Sequence, residues 1–385
     1  MLAKEKNSEI IIGKKDDLDK TMEEDKNIKL VADEKSNEKK SLKKEDSKSE
    51  DTSDVKEEKN SVELLEDLVP DEEPEKQLGI TDIPGVGPST AEKLTESGFD
   101  NIISIAVATV GELVESTGVS ESVARKMINF CRNEANMGFE SGEVVLERRK
   151  KVIKISSGTE AIDNLLNGGF ETGSIVECFG EFGSAKTQIA HVLCVQLYKK
   201  YPNSYSVYID TEKTFRPERI IQLAKGAGLD PEDVLKHIKV AKAFNSDHQM
   251  LLAEKVEGLI TQDKLDVKLI IVDSLTSQFR SEFVGRGTLA QRQQKINKHM
   301  AVLSKVASIH NICVYVTNQV MSKPDQFFGD PTASIGGHIV AHNSTFRIYL
   351  RKGRKGTRVA KLIDSPNLPD GEAIFMVESD GLKDV

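Results

Sequence analysis

Gly180-Glu181-Phe182-Gly183-Ser184-Ala185-Lys186-Thr187 decides how the rest of the chain is read. It follows an apolar run, Ile175–Phe179, and opens a helical pattern over about 186–200. Strand, glycine turn and helix start in that order are the context a phosphate-binding loop requires. Its backbone N–H groups cradle phosphate oxygens, Lys186 reaches the outer phosphates, and the Thr187 hydroxyl ligates Mg²⁺. One position departs from G-x-x-x-x-G-K-[ST]: Ala185 stands where the second glycine is usual. The intact flanks favour an ordinary helical entry at Ala185, at little cost; a positive φ there costs roughly 1–2 kcal/mol.

Working outward, Lys268-Leu269-Ile270-Ile271-Val272-Asp273-Ser274 reads as a buried strand delivering a carboxylate to the edge where ligands sit in open α/β sheets. Asp273 is expected to hold Mg²⁺ through water. Tyr208-Ile209-Asp210-Thr211-Glu212 puts Glu212 just past another strand end, where a carboxylate can position a water for attack on a terminal phosphate. Alone, a Glu at that place is by default a solvated loop acid.

Strands are expected at Ile175–Phe179, Ser206–Ile209, Leu269–Val272, Ile312–Thr317, Thr345–Leu350, Val359–Ile363 and Ala373–Val377, with helices at about 186–200, 217–226, 247–261 and 288–309. Strands alternating with helices predict a mostly parallel sheet. Before it, residues 78–137 hold short helical patterns. Ile83-Pro84-Gly85-Val86-Gly87 and Thr117-Gly118-Val119-Ser120 each make a glycine turn feeding a helix start. Such turns present free N–H groups to a phosphate or simply supply a backbone angle.

Residues 1–77 carry 16 Lys and 25 Asp or Glu, a balance of −9 equal to that of the whole chain, so residues 78–385 are neutral. Residues 1 to about 60 lack the apolar surface to offset ordering entropy and read as a disordered tail; Ser61–Leu68 can add a turn of helix. No run approaches the roughly 18 apolar residues of a membrane span, and Ile10-Ile11-Ile12 is too short for a secretory core. Cys131, Cys178, Cys194 and Cys313 are scattered, as expected of reduced thiols inside a cell. Between Arg347 and Lys361 lie seven cations and no acid, either a footprint for polyanions or a solvated hairpin turning at Lys352–Gly356. His338 and His342 stand four apart, but Gly336-Gly337 argues against the helix a metal pair needs.

In combination, G-E-F-G-S-A-K-T-Q, Y-I-D-T-E-K-T-F-R-P-E-R-I, L-I-I-V-D-S, G-R-G-T-L-A-Q-R-Q, Q-V-M-S-K-P-D-Q-F-F-G-D-P, G-G-H-I-V-A-H and L-R-K-G-R resemble the archaeal RadA branch of the RecA-like strand-exchange recombinases, over about residues 78–385. The resemblance implies a RecA-like P-loop ATPase core (152–385), a small all-α helix-hairpin-helix domain (78–137), a linker with a polymerisation motif (138–151) and the N-terminal extension (1–77). It implies a DNA-dependent ATPase for recombination and repair, with ATP and Mg²⁺ as cofactors. Its partners are single- and double-stranded DNA and further copies of itself, in a helical filament or ring in the cytoplasm and away from membranes.

The same resemblance implies roles for single residues. Glu212 is the catalytic glutamate, and Gln188 and Arg219 lie at the nucleotide, Arg219 stacking on adenine. Gln319, beside Asn318, senses the γ-phosphate, and His342 lies on the same signalling route. Asp364 caps the ATP of a neighbouring subunit. DNA contacts fall to Gly85 and Gly87, to Arg286 and Arg292 in a first loop, and to Lys323, Phe327 and Phe328 in a second loop from about Met321 to His338. That second loop is long for a connection without structure of its own, which usually marks function. Phe139 and Gly142 plug a neighbour's pocket; on sequence alone a Phe packed on its own domain is the simpler reading. A regulatory paralogue and a ring helicase compete with the recombinase, but the helical domain and the linker Phe, both present, disfavour them.

Overall fold

Residues 78–135, 137–322 and 332–385 are described by the structure, a computed structural model. The expected tail and Ser61–Leu68 lie outside them, as do Lys323, Phe327 and Phe328.

The first folded segment contains α1 (Pro88–Glu96), α2 (Ile102–Ala106), α3 (Val110–Thr117) and α4 (Glu121–Glu134). Each is short, so packing rather than propensity holds it. Ile83, Leu94, Ile105, Leu113, Met127 and Cys131 meet in one small core. Gly85 takes φ +90°, and Gly87 caps α1 ahead of Pro88. A linker helix, α5 (Gly142–Arg149), follows with no buried residue.

The remaining strands are β1 (Lys154–Ile155), β2 (Phe170–Glu171), β3 (Ser174–Gly180), β4 (Tyr205–Asp210), β5 (Ile238–Lys242), β6 (Val267–Asp273), β7 (Cys313–Asn318), β8 (Val320–Ser322), β9 (Thr332–Ser334), β10 (Phe346–Lys352), β11 (Arg358–Asp364), β12 (Gly371–Val377) and β13 (Leu382–Asp384). Nine of them form one sheet in the order β13-β12-β11-β10-β3-β7-β6-β4-β5. From β5 to β10 every pairing is parallel, while β10 to β13 are antiparallel. The alternation of β6 explains its burial on two faces. Leu269 and Ile271 enter one core with Tyr208 and Tyr315; Ile270 and Val272 enter the other with Val207 and Val314. Successive side chains point to opposite faces, so a sheet covered by helices on both sides needs apolar residues at every position.

The covering helices are α6 (Glu160–Leu165), α7 (Lys186–Lys200), α8 (Pro217–Gly226), α9 (Pro231–Lys236), α10 (Ser246–Thr261), α11 (Ser277–Glu282), α12 (Leu289–His310) and α13 (Gly337–Asn343). The expected strands and helices are present to within a residue or two at their ends. Strand β5 was missed because it is an edge: Lys239 and Lys242 break its apolar pattern, and charge blunts an open edge.

Two expectations are corrected. The second loop has structure at its root, where β8 and β9 pair antiparallel through Val320↔Ser334 and Met321↔Ala333, because backbone groups near the sheet must find partners. A helix does form after Gly336-Gly337: Gly336, at φ +95°, caps α13, and the rings of His338 and His342 stack one turn apart with centroids 5.7 Å away. The cation run follows its hairpin reading. Its strands β10 and β11 make the expected hairpin, and Arg347, Arg351 and Lys361 pair with Glu177 and Glu372. Lys352, Arg354 and Lys355 have no acidic partner among the described residues.

Candidate nucleotide site

The parallel strands β3, β4, β6 and β7 end at one edge, and a cavity of about 800 Å³ opens there. Strand β3 runs straight into the phosphate loop. A Cβ on Gly180 would lie 2.0 Å from the Leu350 carbonyl oxygen of the paired strand β10, so only glycine lets the loop leave the sheet here. Ala185 caps α7 at φ +86°, ψ 12°. The expected ordinary helical entry is therefore wrong: the turn demands a left-handed residue, and alanine occupies it at the cost of crowding its Cβ against the backbone. Lys186 Nζ donates to the Gly180 and Glu181 carbonyls at 2.8 and 2.9 Å. Burial pulls its pKa below the ordinary lysine value, partly offset by Asp273 and Glu212.

Asp273, at the end of β6, is buried among hydroxyls. Its Oδ2 accepts from Thr187 Oγ1 at 2.8 Å, Tyr208 OH at 2.8 Å and Thr214 Oγ1 at 3.1 Å, while Oδ1 accepts from Thr317 Oγ1. Of these partners only Thr187 was expected. Tyr208 lies inside β4, Thr214 four residues past its end and Thr317 next to the end of β7, and their separation of up to 109 residues hides the convergence in sequence. Thr187 and Asp273 supply adjacent hard oxygen donors, the chemistry Mg²⁺ prefers.

Glu212 and Gln319 stand 107 positions apart and the structure joins them: Gln319 Nε2 donates to Glu212 Oε1 at 2.7 Å. Both line the cavity with Lys186, Thr187 and Asp273. Gln188 and Arg219 line it too, with Arg219 Nε donating to Gln188 Oε1 at 2.8 Å and its other nitrogens donating to the Glu378 and Ser379 carbonyls. Glu181, Phe182 and Gly183 complete the loop side, and Phe182 is almost fully exposed. Ser184 is buried at the base of the loop. Arg358, read from sequence only as one of the clustered cations, also lines the cavity and donates from Nε to the Gly183 carbonyl at 2.9 Å.

Next to Gln319, Asn318 is fully buried and connects three elements. Its Nδ2 donates to Glu177 Oε1 at 2.7 Å and to the Ile335 carbonyl at 2.6 Å, and its Oδ1 accepts from Thr276. Glu177 Oε2 accepts from Arg347 Nε at 2.7 Å, and Arg347 Nη2 donates to Ser334 Oγ at 3.0 Å in β9. Sequence reading missed Glu177; an acid inside the apolar run of β3 is the signal that could have found it.

Other expected residues lie away from the cavity. Asp364 is exposed at the end of β11, and His342 is exposed on α13. Arg286 opens a 3₁₀ turn ahead of α12, and Arg292 borders a second cavity with Arg347, Tyr349 and Arg351. Phe139 is fully exposed, so it does not pack on its own domain.

A family model described as Rad51 matches residues 148–385, and one described as a SAM-like helix-hairpin-helix tandem matches residues 78–133. Two relatives carry the description "DNA repair and recombination protein RadA". One, from Methanococcus voltae, is 51% identical over 319 residues, covering 79% of this chain and 99% of the relative. Another, from Methanococcus maripaludis, is 50% identical over the same shares.

Proposed function

The chain belongs to the Rad51 family of DNA-dependent ATPases, which act in DNA repair and recombination by ATP-dependent strand exchange, and from that premise we propose which of its residues do this work. ATP binds in the cavity at the ends of β3, β4, β6 and β7. Amides of Gly180–Thr187 and the Lys186 ammonium take its phosphates, and Gln188 and Arg219 lie towards the base. Thr187 and Asp273 would hold Mg²⁺, Asp273 through water, and the ion would offset phosphate charge when bound.

Glu212 orients the attacking water and Gln319 meets the terminal phosphate. The hydrogen bond between these two side chains, with Gln319 one residue ahead of β8, is the observation that carries this reading. A phosphate that engages Gln319 competes for its amide and so acts at once on the water-holding carboxylate and on the root of the second loop. Asn318 ties the same strand end to Ile335, His342 lies on the same route from the nucleotide to the second loop, and Asp364 serves the neighbouring subunit's nucleotide. Arg286 and Arg292, with Lys323, Phe327 and Phe328, hold single-stranded DNA, and the turns at Gly85 and Gly87 hold duplex backbone.

Phe139, exposed ahead of Gly142, plugs the next copy head-to-tail; such a contact does not close on itself and builds a filament or ring. The proposed division into 78–137, 138–151 and 152–385 follows from these roles. No helix among the described residues is long and apolar enough to cross a membrane, and we place the protein in the cytoplasm with its DNA.

The test is strand exchange and DNA-stimulated hydrolysis with ATP and Mg²⁺. Wild type exchanges strands and Lys186→Ala abolishes turnover; hydrolysis unchanged in that variant overturns the site.

A further inference from the structure

We propose that His191 is the positioning residue that holds the Glu212 loop to the phosphate loop, an inference resting on the nucleotide site proposed above. His191 lies on α7, one turn past Thr187, and is 1% exposed. Its Nδ1 faces the Thr187 carbonyl at 2.7 Å, and the Arg216 backbone N–H donates to its Nε2 at 3.2 Å. A carbonyl only accepts and an amide N–H only donates, so the two contacts together require one form of the ring: neutral, with the proton on Nδ1. The ring is stacked against Phe215 with centroids 5.4 Å apart, and Tyr208 packs 5.6 Å away.

What this contact does follows from how the loop Thr211–Arg216 is fastened. At its start, Thr211 Oγ1 donates to the Ser274 carbonyl at 2.9 Å. In its second half, the Thr214 and Phe215 amides donate to Asp210, the carboxylate at the loop's own root, and Thr214 Oγ1 donates to Asp273. Arg216 N–H to His191 is the tie that runs from the loop's far end to α7, the helix opened by Lys186 and Thr187. Glu212 lies between these fastenings, followed by Lys213 in the left-handed region at φ +59°. A loop carrying such a residue keeps its shape only where its surroundings over-determine it. Removing the Arg216 tie frees the end of the loop and lets Glu212 drift relative to phosphates held by Thr187. Misplacement of that kind lowers the rate of the chemical step while leaving nucleotide affinity alone.

Two near-isosteric substitutions separate the ring's two contacts. His191→Gln reaches the Nε2 position, and its amide oxygen accepts from Arg216 N–H. His191→Asn reaches only the Nδ1 position, keeps the bond back to Thr187 and loses the cross-tie. Full-length protein is assayed for DNA-stimulated kcat and KM and for ATP affinity. Hydrogen exchange over residues 211–217 is followed without nucleotide, and melting temperature is recorded for each variant. His191→Asn is expected to lose on the order of tenfold in kcat, the worth of one buried hydrogen bond, with KM and ATP affinity unchanged and faster exchange at Arg216. His191→Gln keeps kcat within about twofold and keeps the protection. A plain packing role would depress both variants alike. Equal kcat and equal exchange in the two, or a loss seen only in KM, overturns the proposal. The exchange measurement decides the tie even if wild type shows no ATP turnover, an outcome that would instead sink the nucleotide-site reading.

Discussion

Replacing Arg347 with Met should destabilise the ATPase core by about 3 kcal/mol, the low end of what breaking a buried ion pair costs. The reasoning starts at Glu177, whose side chain is 0% exposed while that of Arg347 is 15% exposed, with 2.7 Å between them. Without the guanidinium, the carboxylate keeps one hydrogen bond, from Asn318, and no countercharge in direct contact. The partial wetting of Arg347 sets the figure at the lower end of the range. For a core of this size it corresponds to a fall of roughly 6–12 °C in Tm. The chain has no Trp, so the assay is thermal and urea unfolding by far-UV circular dichroism, without nucleotide to keep self-assembly out of the signal. The double variant Arg347→Met/Glu177→Gln removes the stranded charge, leaves Asn318 an acceptor and should recover more than half of the loss. A fall in Tm below about 2 °C for Arg347→Met, or a double variant no better than the single, refutes the argument that β3 and β10 are locked by this pair.

Ala185→Gly should change stability by less than about 1 kcal/mol: relief of left-handed alanine, roughly 1–2 kcal/mol, is opposed by a lost buried methyl, about 0.8 kcal/mol, and by the wider freedom of unfolded glycine, about 0.4–1 kcal/mol. Ala185→Val, β-branched at the same φ, should lower Tm clearly, and equal melting of the two variants would contradict the left-handed turn. His299 is fully buried, and burial lowers its pKa from 6.5 to about 4. Its folded pKa lies below its unfolded one, so the unfolded chain binds the proton first; stability is full above about pH 6.5 and falls as pH drops towards 4, by about 3 kcal/mol in all. His299→Asn should flatten the stability slope across that window, and a slope unchanged by the substitution would reassign it. Phe139→Glu should give monomers by light scattering in the presence of ATP, Mg²⁺ and oligonucleotide, and persistent large assemblies would count against the head-to-tail plug.

Much of the site is legible in one dimension because its parts follow local rules. A parallel sheet places ligands at the C-terminal ends of its strands, so Glu212 after β4 and Asp273 at the end of β6 could be assigned to one edge from hydropathy alone, whereas Gln319 after β7 was named by the family resemblance. The strand ending at Phe179 and the helix opening at Lys186 bracket the phosphate loop in the same way. Other features have no local signature. Ala185 has a left-handed backbone because of how the loop returns from β3 to α7, and nothing in its neighbours along the chain states that angle. The cations from Arg347 to Lys361 look alike in sequence, yet one is buried on Glu177, two meet Glu372 and one supports the phosphate loop at Gly183.

Periodicity and turn chemistry by themselves determined the order of elements, the face each strand buries and the edge at which chemistry can occur, because these depend on a few neighbouring residues at a time. Only the tertiary structure decided which hydroxyls surround Asp273, that Gln319 holds Glu212, and which charges are spent on partners inside the protein. Those are contacts between residues up to 175 positions apart, and the chain records them only in its packing.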